Sequence, residues 1–483
     1  MRNANNKNTE QSGHKKIKET PVPHFIINKN TSFKIIFNSK KRMKNYITPM
    51  IVALCLSGSP LAAETSTPQK EENSNASAEY TKYRVGGYGE MVASYLDYGY
   101  NRFTGEGSGS MNRATISIPR FVLAFDYKFT PKWILGAEIE FEYGGTGIAK
   151  EIEYSDEGGE YETEIEKGGE VALEQFHITR LFHRSFNVKV GHIIVPVGLT
   201  NAHHEPINFF GCYRPEGETT LLPSTWHENG IAFFGEFGRG ATLFDYEAQV
   251  VAGLNPNGFR KQDWISQGKQ GAFEINNFSC PALVGRLNYH GVRGMRVGVS
   301  AYYCANTGKN SDRPDKIYDQ SEEGKLIKAP VTILTADAQY KSKNIIARGN
   351  VVWGNLGESV KLYNYNKTLS NKSGYSRSAA AKRAVSYAAE AGYNIGSFFG
   401  ERAPRIFPFA RYEYYNPQEK TEKGMAADER FQTDMWTVGA NYYALPNLVI
   451  KADYSHRSIG KGKYTSENEF SVGLAYVGWF FQK

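Results

Sequence analysis

The stretch WILGAEIEFEY, residues 133–143, decides the class of fold. From Leu135 onward, apolar or aromatic side chains occupy every second position, and glycine or glutamate lies between them. Successive side chains of a β-strand point to opposite faces, so the pattern predicts a strand with one apolar and one charged face. In a soluble sandwich the charged face would meet solvent, and in a membrane barrel it would meet the lumen.

The same alternation recurs along the chain. It predicts sixteen strands at 84–95, 113–128, 133–143, 170–182, 186–195, 228–237, 243–253, 282–290, 294–303, 332–340, 345–353, 383–394, 406–415, 433–443, 447–456 and 469–480. Tight turns at 130–132, 183–185, 291–293, 341–344 and 444–446 alternate with loops of roughly 12–32 residues. We therefore predict an all-β fold, a transmembrane antiparallel β-barrel of about sixteen strands with short periplasmic turns, long extracellular loops and a water-filled lumen.

Composition agrees with this fold and excludes other classes. Aromatic residues make up 13% of the chain, with 31 Tyr, and Gly contributes 48 residues, yet the mean hydropathy is −0.50. No apolar run beyond the N-terminal segment reaches the length of a membrane-spanning helix, so a helical membrane protein is excluded. After residue 63 the chain has 46 basic and 48 acidic residues, a balance that predicts no nucleic-acid partner.

The N-terminal region predicts export. A basic run at 40–44 precedes an apolar run at 47–56, and small residues follow, which is the order of a secretory signal peptide. The predicted organisation is an upstream extension of uncertain start at 1–42, a signal peptide at 43–63, a disordered periplasmic lead-in at 64–82 and the barrel at 83–483. We expect translation to begin at Met43, since residues 1–42 fit no export signal. A lipoprotein site at Cys55 is the alternative, although Leu54 stands where such a site needs a small residue.

The longest loop, at 196–227, is predicted to constrict the barrel. Six of the ten histidines fall between His177 and His227, and prolines and aromatic residues interrupt the loop. Such a loop is expected to be ordered and to fold into the barrel. The alternative is that its polar side chains only tie the loop to the wall through hydrogen bonds. The residues predicted to face the permeating solute are His203, His204, Glu205, Arg214 and Glu216.

Charged side chains on the inward faces of the strands are predicted to line the pore wall. In a closed ring of sixteen strands, the third and eleventh strands lie opposite each other, so acidic and basic walls would create a transverse field that orients polar solutes. Solvated wall charge without selectivity is the alternative. The acidic set is Asp126, Glu138, Glu140, Glu142, Asp245 and Glu247, and the basic set is Arg286, Arg296 and Arg348.

A further acidic stretch, 144–169, predicts a hairpin. Its glutamates alternate with tyrosine and isoleucine around Gly158 and Gly159. The two interpretations are a solvated acidic surface and divalent-ion bridging to lipopolysaccharide or to another subunit.

Catalytic, cofactor and metal sites are not predicted, and the chain is not expected to be an enzyme. The histidine pair of the third loop lacks the spacing of a helical zinc site. Ser224 near His227 has no third member of a hydrolase triad. Three cysteines follow the N-terminal segment without metal-ligand spacing, and a disulfide between Cys280 and Cys304 and free thiols are the two alternatives.

Three groups of residues carry a family resemblance. They are GGYGE at 86–90, GH at 191–192 followed by PVGL at 196–199, and a late hairpin at 438–454 that contains LPN and KADY. On these residues the chain resembles bacterial porins, most of all the family that contains the phosphate-selective porins. The resemblance covers roughly residues 84–480 and implies a sixteen-stranded barrel, often trimeric, with the third loop as the constriction.

One departure from the family concerns the solute. Phosphate-selective members have lysines at the constriction, whereas no Lys lies between Lys189 and Lys261, and Arg214 is the only Lys or Arg of the third loop. Phosphate selectivity is therefore not predicted. The expected function is passive diffusion of small hydrophilic or ionic solutes across the cell outer membrane, with outer-membrane lipid, lipopolysaccharide and further copies in a homotrimer as partners. A structural or adhesive surface barrel without an open channel is the alternative.

Overall fold

A computed structural model describes residues 81–483, except 108, 143–146, 155–160, 169–170, 271–274, 314–316, 320, 323, 369–379 and 401. At 106, 142, 147–154 and 161–168 it describes the backbone alone. The predicted upstream extension, the signal peptide and residues 64–80 of the lead-in lie outside the described residues, so these boundaries stay predictions. No helix of the described part is long and apolar enough to cross a membrane.

Sixteen strands form one closed antiparallel barrel, and the ring follows chain order. Pairing of the first strand with the last closes the ring, with Arg84 opposite Gln482 and Asp97 opposite Asn468. Every predicted strand is confirmed, and the largest difference in bounds is at the predicted strand 406–415, which extends to Lys420. The strands are β1 (Tyr83–Asp97), β2 (Arg113–Thr130), β3 (Trp133–Glu142), β6 (Val171–His183), β7 (Phe186–Ile194), β8 (His227–Phe237), β9 (Phe244–Val251), β10 (Ala282–Tyr289), β11 (Met295–Cys304), β12 (Val331–Lys341), β13 (Ile345–Leu356), β14 (Arg383–Tyr393), β15 (Arg405–Lys420), β16 (Thr433–Leu445), β17 (Leu448–Ile459) and β18 (Glu467–Gln482).

Two more strands form a separate antiparallel sheet. These strands, β4 (Gly147–Tyr154) and β5 (Tyr161–Gly168), pair with Gly147 opposite Gly168 and Tyr154 opposite Tyr161. The predicted hairpin is therefore confirmed. Its acidic side chains lie outside the described part of the chain, so both interpretations of this hairpin stay open.

Side chains alternate between the two faces of the barrel wall as the sequence predicts. In β3, Ile139 on the outside is 41% exposed, while its neighbour Glu138 on the inside is 3% exposed. Phe121 and Phe125 of β2 also lie on the outside. The alternation thus separates an apolar outer face from an inner face that is polar along much of the wall.

Long and short connections lie on opposite rims of the barrel. The loop between β7 and β8, 195–226, is the predicted third loop and contains the helix α1 (Glu216–Leu221). The helix α2 (Ser359–Thr368) lies in the sixth long loop. The connections L1 to L8 on one rim are 98–112, 143–170, 195–226, 252–281, 305–330, 357–382, 421–432 and 460–466, and those on the other rim are 131–132, 184–185, 238–243, 290–294, 342–344, 394–404 and 446–447. The predicted difference in length fails at 460–466, which has seven residues, and at 394–404, which has eleven.

Apolar side chains fill the barrel interior at the loop-side ends of β7–β14. Trp226 of L3 and Phe259 and Trp264 of L4 are fully buried there. The Trp264 indole N–H donates to the Ala381 carbonyl at 3.0 Å, and its ring lies where a Cβ atom on Gly354 would come within 2.0 Å. The strand pattern did not predict this packing, because the apolar layer is completed by side chains of the loops.

Candidate functional site

L3 turns into the barrel at its first residues. Arg286 of β10 donates to the Gly198 carbonyl at 2.8 Å and to the Pro196 carbonyl at 3.3 Å. The Gly198 N–H donates to Ser300 Oγ of β11 at 3.3 Å. Gly198 has a φ of +86°, and a Cβ atom there would lie 2.3 Å from Glu218 Oε1, so this turn requires glycine.

The middle of L3 lies against the far wall of the barrel. The Asp453 carboxylate of β17 accepts the Cys212 N–H at 2.6 Å, and Phe210 stacks on Phe409 of β15 with ring centroids 5.0 Å apart. Lys451 of β17 is only 2% exposed, and its ammonium group donates to L3 backbone carbonyls. These carbonyls belong to Pro206, Phe209 and Gly211.

Helix α1 extends this contact with the far wall. The Gly217 N–H donates to Glu413 Oε2 of β15 at 2.9 Å. Glu216 accepts from Arg457 Nε of β17 at 2.7 Å and from the Tyr415 hydroxyl. L3 therefore crosses the interior of the barrel and contacts both walls.

Glu218 connects α1 to the beginning of L3. Its carboxylate accepts the backbone N–H groups of Leu199, Thr200 and Asn201 at 2.9, 2.8 and 3.0 Å. The Asn350 amide of β13 donates to the same carboxylate at 2.5 Å. Burial raises the pKa of Glu218 to about 7, against the opposing effect of these donors.

Two of the predicted constriction residues are buried inside L3. His204 is 1% exposed and Glu205 is 2% exposed. His204 Nδ1 lies 2.9 Å from the Asn201 carbonyl, and Glu205 accepts the Asn208 amide at 2.7 Å. Burial lowers the pKa of His204 to about 3, so its imidazole is neutral. Both side chains hold the loop together, as in the alternative that the sequence left open.

The other three predicted constriction residues keep partial exposure. His203 Nδ1 lies 3.1 Å from the Leu199 carbonyl, Arg214 donates to Ser224 Oγ, and Glu216 makes the contacts described above. The loop surface that remains accessible thus carries one imidazole, one guanidinium and one carboxylate.

The inward charges of the acidic wall have neighbouring partners. All the described members of this set point to the inside of the barrel, whereas the side chain of Glu142 lies outside the described part. The partners are Arg84 for Asp126, Gln175 for Glu138, Arg120 for Glu140, His290 for Asp245 and Gln249 for Glu247.

The three predicted wall arginines also have partners. The Asp337 carboxylate of β12 is fully buried and accepts from Arg286 at 2.7 Å and from Arg296 at 3.0 Å. Arg348 lies 2.5 Å from Glu390 of β14. Most of the described wall charges therefore form local ion pairs, which weakens a transverse field between two charged walls, whereas Glu138 and Glu247 are hydrogen-bonded to neutral amides.

Several partners that complete these pairs and anchor L3 are not among the residues predicted from the sequence. All of them occupy inward positions of the alternating strands, which is the signal that could have found them. Alternation does not reveal which inward residue lies beside which, because that depends on strand register. The residues missed are Arg120, Asp337, Glu390, Glu413, Lys451 and Arg457.

A group of buried ligand-type side chains lies where L3 meets β3 and β6. Each residue contributes one carboxylate oxygen or imidazole nitrogen, and these three atoms, from Glu138, Glu174 and His204, lie within 4.8 Å of one another. These residues are far apart in sequence, so no spacing motif signalled them.

The two alternatives for the cysteines are also decided. Cys280 and Cys304 are free thiols, and Cys304 Sγ lies 3.6 Å from the Cys280 carbonyl.

Residues 281–476 match the family model described as "Phosphate-selective porin O and P". The predicted resemblance to this porin family is confirmed. The matched segment runs from β10 into β18, and the whole barrel has the sixteen strands that the resemblance implies. The protein is a β-barrel of the outer membrane, and the matched segment together with the closed barrel indicates a channel.

Individual relatives of this porin-like chain are distant. An uncharacterised protein of Aquifex aeolicus (strain VF5) is 24% identical over 401 residues, which cover 82% of this chain and 79% of that protein. The anion-selective porin from Comamonas acidovorans has a TM-score of 0.47 at 9% identity, covering 83% of this chain and 100% of that one. The outer membrane channel DcaP of Acinetobacter baumannii has a TM-score of 0.46 at 10% identity, covering 82% and 97%.

Proposed function

We propose that the protein lets small hydrophilic or ionic solutes diffuse passively across the outer membrane, with L3 as the constriction of the channel. The observation that carries this proposal is the anchoring of L3 on both walls, by Arg286 on one side and by Lys451 and Arg457 on the other. A loop held at both walls narrows the path through a wide barrel and keeps a fixed shape.

Within the constriction, we assign solute contact to His203, Arg214 and Glu216, because these side chains keep partial exposure. We assign His204 and Glu205 to holding the loop. The remaining path would be lined by the wall charges, which favour weak ion selectivity because most of them are compensated by a neighbouring ion-pair partner.

Planar-bilayer recording of the purified protein tests the channel function. We expect discrete openings once the barrel is inserted. A folded barrel that stays silent, with folding shown by heat-modifiable electrophoretic mobility, would favour the structural or adhesive surface role instead. The apolar packing around Trp226 and Trp264 at the loop-side rim is the observation that favours this second function.

The substitution Arg296→Gln is expected to shift the reversal potential in a KCl gradient toward cation selectivity. The Arg296 side chain is 11% exposed, and Asp337 keeps Arg286 as a partner. The substitution therefore removes one positive charge from the wall without loss of the fold. Arg184→Gln is the matched control, because this residue is 44% exposed on the turn 184–185 outside the lumen. Identical reversal potentials for wild type and Arg296→Gln would contradict solute passage along this wall.

We also propose the partners that accompany a channel of this kind. Lipid would cover the outward aromatic residues, lipopolysaccharide would contact the long loops, and the chain would assemble as a homotrimer. Native mass spectrometry of the detergent-solubilised protein tests the assembly, and a purely monomeric spectrum would contradict the trimer.

A further inference from the structure

Three side chains from separate elements converge where L3 rests on the wall. Glu138 comes from β3, Glu174 from β6 and His204 from L3, and they are 3%, 3% and 1% exposed. One ligand-type atom from each lies within 4.8 Å of the other two. Two carboxylates and one imidazole form a mixed oxygen and nitrogen donor set, which suits divalent transition-metal ions.

An irregularity in β6 turns Glu174 toward the inside of the barrel. Glu138 pairs with Gln175 and Ile139 pairs with Leu173, so Glu174 is the extra residue of a β-bulge. Regular alternation would send either Glu174 or Gln175 to the lipid face, yet both are buried on the inside. Bulges of this kind commonly re-aim a side chain for a functional purpose.

The hydrogen bonds of His204 leave one ring nitrogen for a ligand. Its Nδ1 lies 2.9 Å from the Asn201 carbonyl, which can only accept, so Nδ1 carries the proton. Nε2 then has a free lone pair, and this tautomer is the usual one for a metal-binding histidine. The backbone carbonyl of His204 accepts from Arg120 at 3.0 Å, which holds the residue against the wall.

Within the described part of the chain, neither carboxylate forms an ion pair, although the charges of Arg120 and Lys269 act on Glu174 at longer range. Arg120 makes its ion pairs with Glu90 and Glu140 instead. Glu174 Oε2 accepts the Tyr88 hydroxyl at 3.2 Å, but its Oε1 is buried without a hydrogen-bond partner. A buried carboxylate without an ion-pair partner is unfavourable unless a proton or a cation joins it.

We propose that Glu138, Glu174 and His204 bind a divalent transition-metal ion, of which Zn²⁺ fits the donor set best. Ligand atoms about 2 Å from a tetrahedral Zn²⁺ lie about 3.3 Å apart, so small rotamer changes bring the three atoms into place. A small polar cavity lined by Glu138, Gln175 and His177 adjoins the site. The bound ion joins L3 to β3 and β6, a role that passive diffusion does not require.

Metal titration of the full-length protein, purified from outer membranes and stripped with EDTA, tests the site. We expect one Zn²⁺ per chain, a higher melting temperature in excess Zn²⁺, and visible absorption bands of low-symmetry coordination when Co²⁺ replaces Zn²⁺. Glu174→Gln and His204→Gln are expected to weaken Zn²⁺ binding at least about tenfold. His183→Gln and Glu236→Gln, on the turn-side rim, are the matched controls and are expected to bind as the wild type does.

Each result of this titration supports the site or overturns it. Wild type that binds no Zn²⁺ at millimolar concentration overturns it, as does a Co²⁺ spectrum that is unchanged in Glu174→Gln. If Glu174→Gln or His204→Gln does not form the heat-modifiable barrel, Glu138→Asp is measured instead. This variant keeps the negative charge but moves the ligand oxygen. Unaltered Zn²⁺ affinity in that variant would also overturn the site. Channel conductance is measured separately, so failure of the metal site leaves the diffusion proposal intact.

Discussion

Replacing Lys451 with Met is expected to detach the middle of L3 from β17 and to raise the single-channel conductance. The buried ammonium group donates to three L3 carbonyls, and Met, which is unbranched and one atom shorter, donates no hydrogen bond. A hydrogen bond to a charged group contributes about 1.5–3 kcal/mol, so losing all three weakens docking of the loop by at least about 3 kcal/mol. Planar-bilayer recording would detect this as larger and noisier openings.

The matched control for this prediction is Lys423→Met. Lys423 lies exposed in L7, so the same change removes a charge without freeing buried carbonyls. Both variants need the heat-modifiable mobility of a folded barrel before recording. If Lys451→Met conducts like the wild type, then L3 does not set the width of the channel.

The variant Asp337→Ala is expected to destabilise the barrel by about 3–5 kcal/mol, because it removes the acidic partner from two buried arginines. Asp337 is fully buried and accepts from both Arg286 and Arg296. Since Arg286 also holds the first residues of L3, the loop is expected to loosen as well. Reversible urea unfolding in lipid vesicles, followed by tryptophan fluorescence, measures the free energy of unfolding.

Asp428→Ala is the control for Asp337→Ala. Asp428 of L7 is paired with Arg430, and both side chains are partly exposed, at 17% and 30%. The guanidinium hydrogen bond lowers the pKa of Asp428, but an ion pair open to solvent contributes only about 0–1 kcal/mol. Equal losses of stability in the two aspartate variants would contradict the importance of the buried pair.

The alternation of side chains and the loop lengths predict the barrel, because the sequence of each strand shows which side chains lie on its apolar face and which on its polar face. Ile139 and Glu138 illustrate this, since the predicted outward residue is 41% exposed and the predicted inward residue 3% exposed. The entry of the third loop into the lumen could also be expected from its prolines and aromatic residues. The path of this loop to Lys451 could not be predicted, because that contact joins residues more than 200 positions apart.

The candidate site was predictable only in part. Partial exposure distinguishes Arg214 and Glu216 from the buried His204 and Glu205, and burial depends on what packs over the loop. The packed apolar region around Trp264 was also unexpected, since it forms only when L4 folds onto the ends of the strands.

The sequence by itself determined the strands, their two faces, the short and long rims and the resemblance to porins, because these follow from the period of side chains along one strand and from chain length between strands. Only the tertiary structure decided the partners of the wall charges, the anchors of L3 and the meeting of Glu138, Glu174 and His204. Register, a single bulge and the closure of the ring set these contacts, and each depends on distant parts of the chain folding together.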